Sequence, residues 1–141
     1  MTTAAPVHVS RHPLLVHRVA SLRERSTPPP EFRRMVREIA QLLFWEATTA
    51  LETTATTVAT PLADCPAAKL SQQVGLAPIL RAGLGMAEAI LDWVPDAQVW
   101  HLGLFRQHED ARPVTYYDKI TAGAKLDVCF VLDPIDRKSV V

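Results

Sequence analysis

The sequence predicts an α/β protein in which a parallel sheet follows N-terminal helices and a β-arm projects from the body. Three observations predict this fold class. Helical patterns fill the first third of the chain, a Thr-rich segment follows, and short apolar runs then alternate with a helical pattern. With 141 residues, of which 48% are hydrophobic and 21% charged, the chain is long enough for one domain with a sizeable core.

Two helices are predicted before the sheet. Pro13 suits the first turn of a helix, where a missing N–H is harmless, and the helix should stop at Ser26–Pro30. A second helix follows, because apolar residues recur every three or four positions while charged residues fill the other face. These apolar residues are Phe32, Met35, Val36, Ile39, Leu42, Leu43 and Ala47.

The rest of the chain predicts a hairpin and then a sheet. The β-prone segment from Thr53 to Ser71 contains few core residues, which favours a hairpin or irregular arm with an accessory role. Three apolar runs predict buried strands, a helix lies between the first two, and a further segment is typical of an antiparallel extension. In chain order these are Val74–Leu80, the helix that carries Leu84 to Leu91 and ends near Pro95, Val99–Phe105, Val114–Tyr117 and Leu126–Leu132.

Composition excludes several classes of function. Fifteen basic and fifteen acidic side chains leave no net charge, so we expect neither nucleic acid nor an acidic membrane surface as a partner. No apolar run is long enough to span a bilayer and the N-terminus lacks a signal-peptide pattern, so we expect a cytoplasmic protein. Cys65 and Cys129 belong to no zinc motif and are expected to be free, mostly buried thiols.

The clearest chemistry lies in the loop Leu80–Gly85, between a predicted strand and a helix, where open α/β sheets place their ligands. Gly83 and Gly85 allow close approach of the backbone to a ligand or a positive φ, and the helix start favours an anion. Arg81 adds a permanent charge with two-pronged geometry suited to a phosphate or diphosphate. The alternative stays open: the glycines only shape a turn and Arg81 is exposed or salt-bridged.

Two further charged residues follow predicted strands. Arg106 would converge with Arg81 on a diphosphate, although a lone arginine after a strand is more often a solvated loop residue. Asp133 would hold ribose hydroxyls or a hydrated magnesium ion, or else cap the next helix. The five histidines show no metal-ligand pattern, so no metal ligand and no catalytic residue is assigned.

Together these segments resemble uracil phosphoribosyltransferases over residues 12 to about 135. The most specific segments are Pro78–Met86 and Gly103–Arg106. The other matching segments are His12–Leu14, Glu31–Arg33, Glu38–Leu43, Thr60–Leu62, Pro113–Tyr117 and Leu132–Pro134.

The resemblance implies a type I phosphoribosyltransferase-like parallel sheet and a reaction of pyrimidine salvage. In that reaction, 5-phosphoribosyl 1-diphosphate and uracil give UMP and diphosphate with the help of Mg²⁺. The resemblance assigns donor binding to Arg81, Arg106 and Asp133, supported by the loop backbone of Ala82 and Gly83. It also implies a homo-oligomer and GTP as an allosteric activator.

The sequence departs from the family after Pro134. Family members continue with a Thr/Gly/Ser-rich loop that cradles the 5-phosphate, whereas here Ile135 is followed by Asp136–Val141. We therefore expect residues 1–135 to be a partial, C-terminally incomplete phosphoribosyltransferase domain and residues 136–141 a non-native tail. Translated sequencing adapter is a candidate origin, since GAT CGG AAG AGC GTC GTG encodes these six residues.

Two interpretations of the whole chain follow from this departure. The first is an incomplete and inactive copy of a uracil phosphoribosyltransferase. The alternative is a non-catalytic short homologue that acts as a binding or regulatory partner.

Overall fold

The structure, a computed structural model, describes residues 7–106, 113–118 and 125–134, with Phe105, Arg106 and Pro113 described by their backbone alone. It is a mixed α/β fold with a sheet built largely from parallel strands, which confirms the predicted class. The elements in chain order are α1 (Pro13–Arg23), α2 (Pro29–Ala47), β1 (Thr53–Ala59), β2 (Asp64–Leu70), β3 (Val74–Leu80), α3 (Leu84–Leu91), β4 (Gln98–Val99), β5 (Leu102–Arg106), β6 (Pro113–Asp118) and β7 (Val128–Leu132).

Both predicted N-terminal helices are present, and α1 begins at Pro13 as predicted, whereas α2 begins at Pro29, inside the predicted break. Each has a proline in its first turn, where the missing N–H removes no intrahelical hydrogen bond. Helix α2 buries Met35, Ala40 and Phe44 on one face. The two helices are joined by an ion pair in which Arg18 Nε lies 2.8 Å from Glu38 Oε2.

The predicted hairpin is confirmed as an antiparallel pair of strands, β1 and β2, which stand apart from the five-stranded sheet. Its residues are largely exposed, and Leu62 near its tip is 98% exposed. Pro66 lies inside β2 opposite Thr57, and this is tolerated because a strand of a two-stranded sheet always has a free edge. The hairpin is therefore an arm, as its composition indicates.

Strand β3 is the centre of the sheet. On one edge it pairs in parallel with β7, from Val74 opposite Val128 to Pro78 opposite Leu132. On the other edge it pairs first with β4 and then with β5, and β6 adds to β5 in antiparallel fashion. The predicted single strand from Val99 to Phe105 is thus divided. The ladder still continues through the interruption, because Trp100 N–H donates to the Leu76 carbonyl at 2.8 Å.

The core lies between one face of this sheet and helices α2 and α3. Phe44 of α2 meets Phe130 of β7 edge to face, with ring centroids 5.1 Å apart. Other buried members of this core are Ala40, Val74, Leu76, Met86, Ala87, Ile90 and Leu132. This packing holds the C-terminal ends of β3 and β7 next to each other.

The expectation of buried thiols is wrong, because both cysteines are exposed and free. Cys65 lies on the projecting hairpin, and Cys129 lies on β7 with its side chain on the face opposite to Phe130. Partial shielding from water raises the pKa of the Cys129 thiol. Trp45 and Trp93 form an exposed edge-to-face pair with centroids 5.6 Å apart.

Candidate functional site

The loop between β3 and α3 is a compact turn. Gly83 N–H donates to the Ile79 carbonyl at 2.8 Å, and the Gly83 carbonyl accepts from the N–H groups of Met86 and Ala87 at 3.2 and 3.1 Å. The peptide bond between Leu80 and Arg81 is cis. Gly83 is the N-cap residue of α3. The loop is thereby anchored both to the strand before it and to the helix after it.

Arg81 and Ala82 are exposed at the outer side of this turn. Within the described part of the chain, the Arg81 side chain makes no hydrogen bond or ion pair. The Ala82 N–H likewise has no backbone acceptor there. Among described residues the salt-bridged alternative for Arg81 therefore has no support. A guanidinium with bidentate donors and a nearby backbone donor is suited to a phosphate oxygen.

Gly83 does not have the positive φ that the sequence allowed for, since its φ is −73° and its ψ is −11°. Space is what requires glycine here. A Cβ on Gly83 would overlap the carbonyl oxygen of Leu132 and would lie 2.9 Å from the Ile79 backbone nitrogen. Gly85 differs, because a Cβ there would meet nothing within 4 Å. Sequence reasoning had no signal for the Leu132 carbonyl, which belongs to a strand about fifty residues further along the chain.

Asp133 directly follows Leu132, the last residue of β7, and is exposed. Because Leu132 pairs with Pro78, Asp133 lies level with Ile79, two residues before Arg81 along the same direction. The structure therefore brings the predicted residues Arg81, Ala82, Gly83 and Asp133 to one edge of the sheet. Their role in binding the donor stays a prediction.

Arg106 is the last residue of β5 and pairs with Pro113 of β6. Leu80 of β3 is opposite Gly103 of β5, so the backbone of Arg106 lies three residues beyond the end of β3, which is roughly 10 Å along the strand. The side chain of Arg106 lies outside the described part of the structure, so its predicted convergence with Arg81 stays a prediction. Residues 136–141, the predicted tail, also lie outside the described residues.

Other features of the described chain concern metal binding, surface cavities and membrane insertion. Nowhere in the described ranges do three or more His, Cys, Asp or Glu residues come together as a possible metal site. A surface cavity of about 240 Å³ beside Gln73, Trp93 and Asp96 lies near Val74, at the opposite end of β3 from Arg81. None of the described helices is both long and apolar enough to cross a membrane.

The chain is similar to proteins of one family. A family profile described as uracil phosphoribosyltransferase matches residues 9–136. A uracil phosphoribosyltransferase of Roseiflexus sp. (strain RS-1) is 49% identical over 131 residues, which are 93% of this chain and 63% of the relative. One of Symbiobacterium thermophilum is 42% identical over 130 residues, which are 92% of this chain and 62% of the relative.

A solved structure shares the fold. The AQ2163 protein from Aquifex aeolicus superposes with a TM-score of 0.81 at 30% sequence identity, covering 90% of this chain and 61% of its own. The chain thus spans somewhat less than two thirds of the length of the relatives that it matches.

Proposed function

The chain belongs to the uracil phosphoribosyltransferase family, and we propose on this basis that it supplies the donor-binding edge of an enzyme of pyrimidine salvage. The proposed reaction transfers a phosphoribosyl group from 5-phosphoribosyl 1-diphosphate to N1 of uracil and releases diphosphate. The observation that carries the proposal is the exposed Arg81, on a turn that packs against the strand leading to Asp133.

The proposed chemistry needs charge stabilisation more than covalent catalysis. When the bond between ribose and diphosphate breaks, negative charge grows on the departing diphosphate and positive charge on the ribose ring. Arg81 faces the leaving group in this proposal, and its guanidinium needs no proton transfer to keep its charge. The Asp133 carboxylate would accept hydrogen bonds from ribose hydroxyls and so orient the sugar. Arg106 is proposed as a second cation for the diphosphate.

Magnesium is proposed as an ion that binds together with the donor. Because the described residues form no cluster of three or more metal-ligating side chains, they fit an ion held mainly by diphosphate oxygens and water. We assign contact with such an ion, directly or through water, to the exposed carboxylate of Asp133. Magnesium would supply charge neutralisation on the leaving diphosphate.

A homo-oligomer is proposed from the hairpin. An isolated two-stranded hairpin is marginally stable in water, and β1 and β2 pair only with each other in the described structure. Contact with a second copy of the chain would stabilise this arm.

The two free thiols support a reducing compartment and hence the cytoplasm. GTP activation is carried over from the family as a proposal to which no residue is assigned.

We further propose that the 141 residues by themselves do not form UMP. The support is that the curated uracil phosphoribosyltransferases similar to this chain are longer. The match covers 63% of the Roseiflexus protein. Incubation of the purified polypeptide with radiolabelled uracil, donor and magnesium tests this, and labelled UMP above the enzyme-free background would refute it.

Donor binding is the decisive test of the site, since it does not depend on turnover. Isothermal titration of 5-phosphoribosyl 1-diphosphate in the presence of magnesium should show binding to the unsubstituted protein. Arg81→Ala should weaken that affinity by about 10- to 100-fold, the usual range for losing a hydrogen bond to a charged group. The donor affinity of Arg81→Lys should lie between that of the unsubstituted protein and that of Arg81→Ala, because lysine keeps the charge but loses the two-pronged geometry.

Arg33→Ala is the matched control, because Arg33 is an exposed arginine that belongs to α2 and not to the loop. It should leave the affinity unchanged. An Arg81→Ala protein that binds the donor as tightly as the Arg33→Ala protein would contradict the assignment. Failure of the folded, unsubstituted protein to bind the donor would favour the non-catalytic alternative.

A further inference from the structure

The contact between Gly83 and Leu132 joins the two parts of the site. Gly83 belongs to the turn that presents Arg81, and Leu132 is the last strand residue before Asp133. The absence of a side chain at Gly83 lets the turn lie directly against the Leu132 carbonyl. The contact between the backbones of Gly83 and Leu132 therefore sets the separation of Arg81 from Asp133.

Neither neighbour of Gly83 can move aside cheaply. The atoms that a Cβ would meet are the Leu132 carbonyl oxygen and the backbone nitrogen and oxygen of Ile79. These atoms belong to β7 and β3, whose parallel pairing runs unbroken from Val74 opposite Val128 to Pro78 opposite Leu132. Added bulk at Gly83 would therefore displace the turn and leave the two strands in place.

We propose that Gly83 is a positioning residue, which fixes the separation of Arg81 from Asp133 so that one donor molecule contacts both. This rests on the proposed function, in which Arg81 binds the diphosphate and Asp133 the ribose hydroxyls. Relieving the overlap requires a shift of about 1 Å, and misplacement on that scale can reduce a rate by about 100-fold.

The affinities for two ligands distinguish a change in the separation of Arg81 and Asp133 from a change in the shape of the loop. Inorganic diphosphate without magnesium binds the Arg81 turn and makes no contact with Asp133, whereas 5-phosphoribosyl 1-diphosphate needs the turn and Asp133 at their correct separation. In Gly83→Ala, diphosphate affinity should stay within about twofold, while donor affinity should fall by about tenfold or more. Gly85→Ala is the matched control, since a Cβ there meets nothing, and it should leave both affinities unchanged.

A double-mutant cycle tests whether Gly83 acts through Asp133. If it does, Gly83→Ala should cost little donor affinity once Asp133 is already alanine, because coupled residues do not contribute additively. Full additivity of the two losses would overturn the proposal. So would an unchanged donor affinity in a folded Gly83→Ala protein, or an equal loss for both ligands.

The unsubstituted protein supplies a test that does not depend on the variant folding. Diphosphate bound at the turn should slow backbone amide exchange at residues 130–133, because the turn packs on the end of β7. No change there on diphosphate binding overturns the proposal. If the unsubstituted protein binds neither ligand, the proposed function falls together with this inference, whereas the outcomes above remove the inference alone.

Discussion

The Asp127 carboxylate accepts a hydrogen bond from the backbone N–H of Gln73, with Oδ2 and N 2.7 Å apart. The N–H groups of Asp127 and Val128 in turn donate to the Gln73 carbonyl at 3.1 and 3.3 Å. These three bonds lie where β3 and β7 begin, one residue before the pair Val74 and Val128. They therefore fix the register that places Asp133 beside the loop at the other end of the strands.

Asp127→Ala is expected to reduce the free energy of unfolding by about 0.5–1.5 kcal/mol, because it removes the acceptor of an exposed hydrogen bond from the Gln73 N–H. Asp127→Asn should lose less, since its side-chain oxygen still accepts a hydrogen bond. Equilibrium unfolding in urea measures both. Asp96→Ala is the control, because Asp96 makes no side-chain hydrogen bond or ion pair within the described chain; equal destabilisation by the two alanine variants would refute this role.

Phe44→Ala should be the more damaging of two adjacent aromatic substitutions on α2. Phe44 is 7% exposed and packs edge to face on Phe130, so its removal leaves a cavity between helix and sheet. The expected loss is about 3–5 kcal/mol of unfolding free energy. Trp45→Ala, at a residue that is 62% exposed, should lose much less. A larger effect at Trp45 would mean that the exposed Trp45–Trp93 pair, not the Phe44–Phe130 pair, anchors the helix.

The segment before α1 that carries His8 and Ser10 is attached to α2 through Glu46, and this contact should depend on pH. The pKa of Glu46 is lowered, chiefly because the Ser10 hydroxyl donates to its carboxylate at 2.6 Å, and to a smaller extent because His8 lies 3.4 Å away. A lowered pKa in the folded state means that the stabilisation is present above about pH 4.3, the ordinary value for glutamate, and is lost as the pH falls through the lowered value.

NMR titration of the Glu46 side-chain carboxyl group checks this. Ser10→Ala should bring the pKa of Glu46 back toward its ordinary value, and His8→Ala should do so to a smaller extent. The order of the two effects is the test, because the hydroxyl of Ser10 is the larger cause. A larger rise with His8→Ala would show that His8, not Ser10, is the main cause of the lowered pKa.

The elements were predictable from sequence because each rests on a local pattern. The spacing of Met35, Val36 and Ile39 specifies a helix with one apolar face, and the run Val74–Leu80 specifies a strand buried on both faces. The interruption after Val99 was not predictable in this way. It depends on the hydrogen bond from the Trp100 N–H to the Leu76 carbonyl of β3, a contact that no local pattern encodes.

The same distinction between local patterns and long-range contacts applies to the site. Arg81 and Asp133 were identified because each follows an apolar run, and parallel strands bring such positions to one edge. The reason for Gly83 was not accessible, because its neighbour Leu132 is close only after β3 and β7 have paired. The exposure of Cys129 has a similar cause, since it depends on which face of β7 the helices cover.

The last prediction concerns the hairpin. Hydrogen bonds that do not involve its tip hold its base together. Ser71 donates to the Glu52 carbonyl through both its N–H, at 3.1 Å, and its hydroxyl, at 3.0 Å, and Thr53 pairs with Leu70. Replacing residues 54–69 with an Asn-Gly turn should therefore preserve the chain path into β3. No residue of the described hairpin belongs to the buried core, so the thermal unfolding midpoint of the body should change little.

If the arm holds two copies together, this shortened chain should have the molar mass of a monomer in light scattering after gel filtration, while the unshortened chain should have that of an oligomer. The comparison is made at equal protein concentration, since association depends on it. A shortened chain that keeps the oligomeric mass would remove the arm from the interface. A body that unfolds without the arm would instead show that the hairpin stabilises its own chain, in contrast to its exposed position.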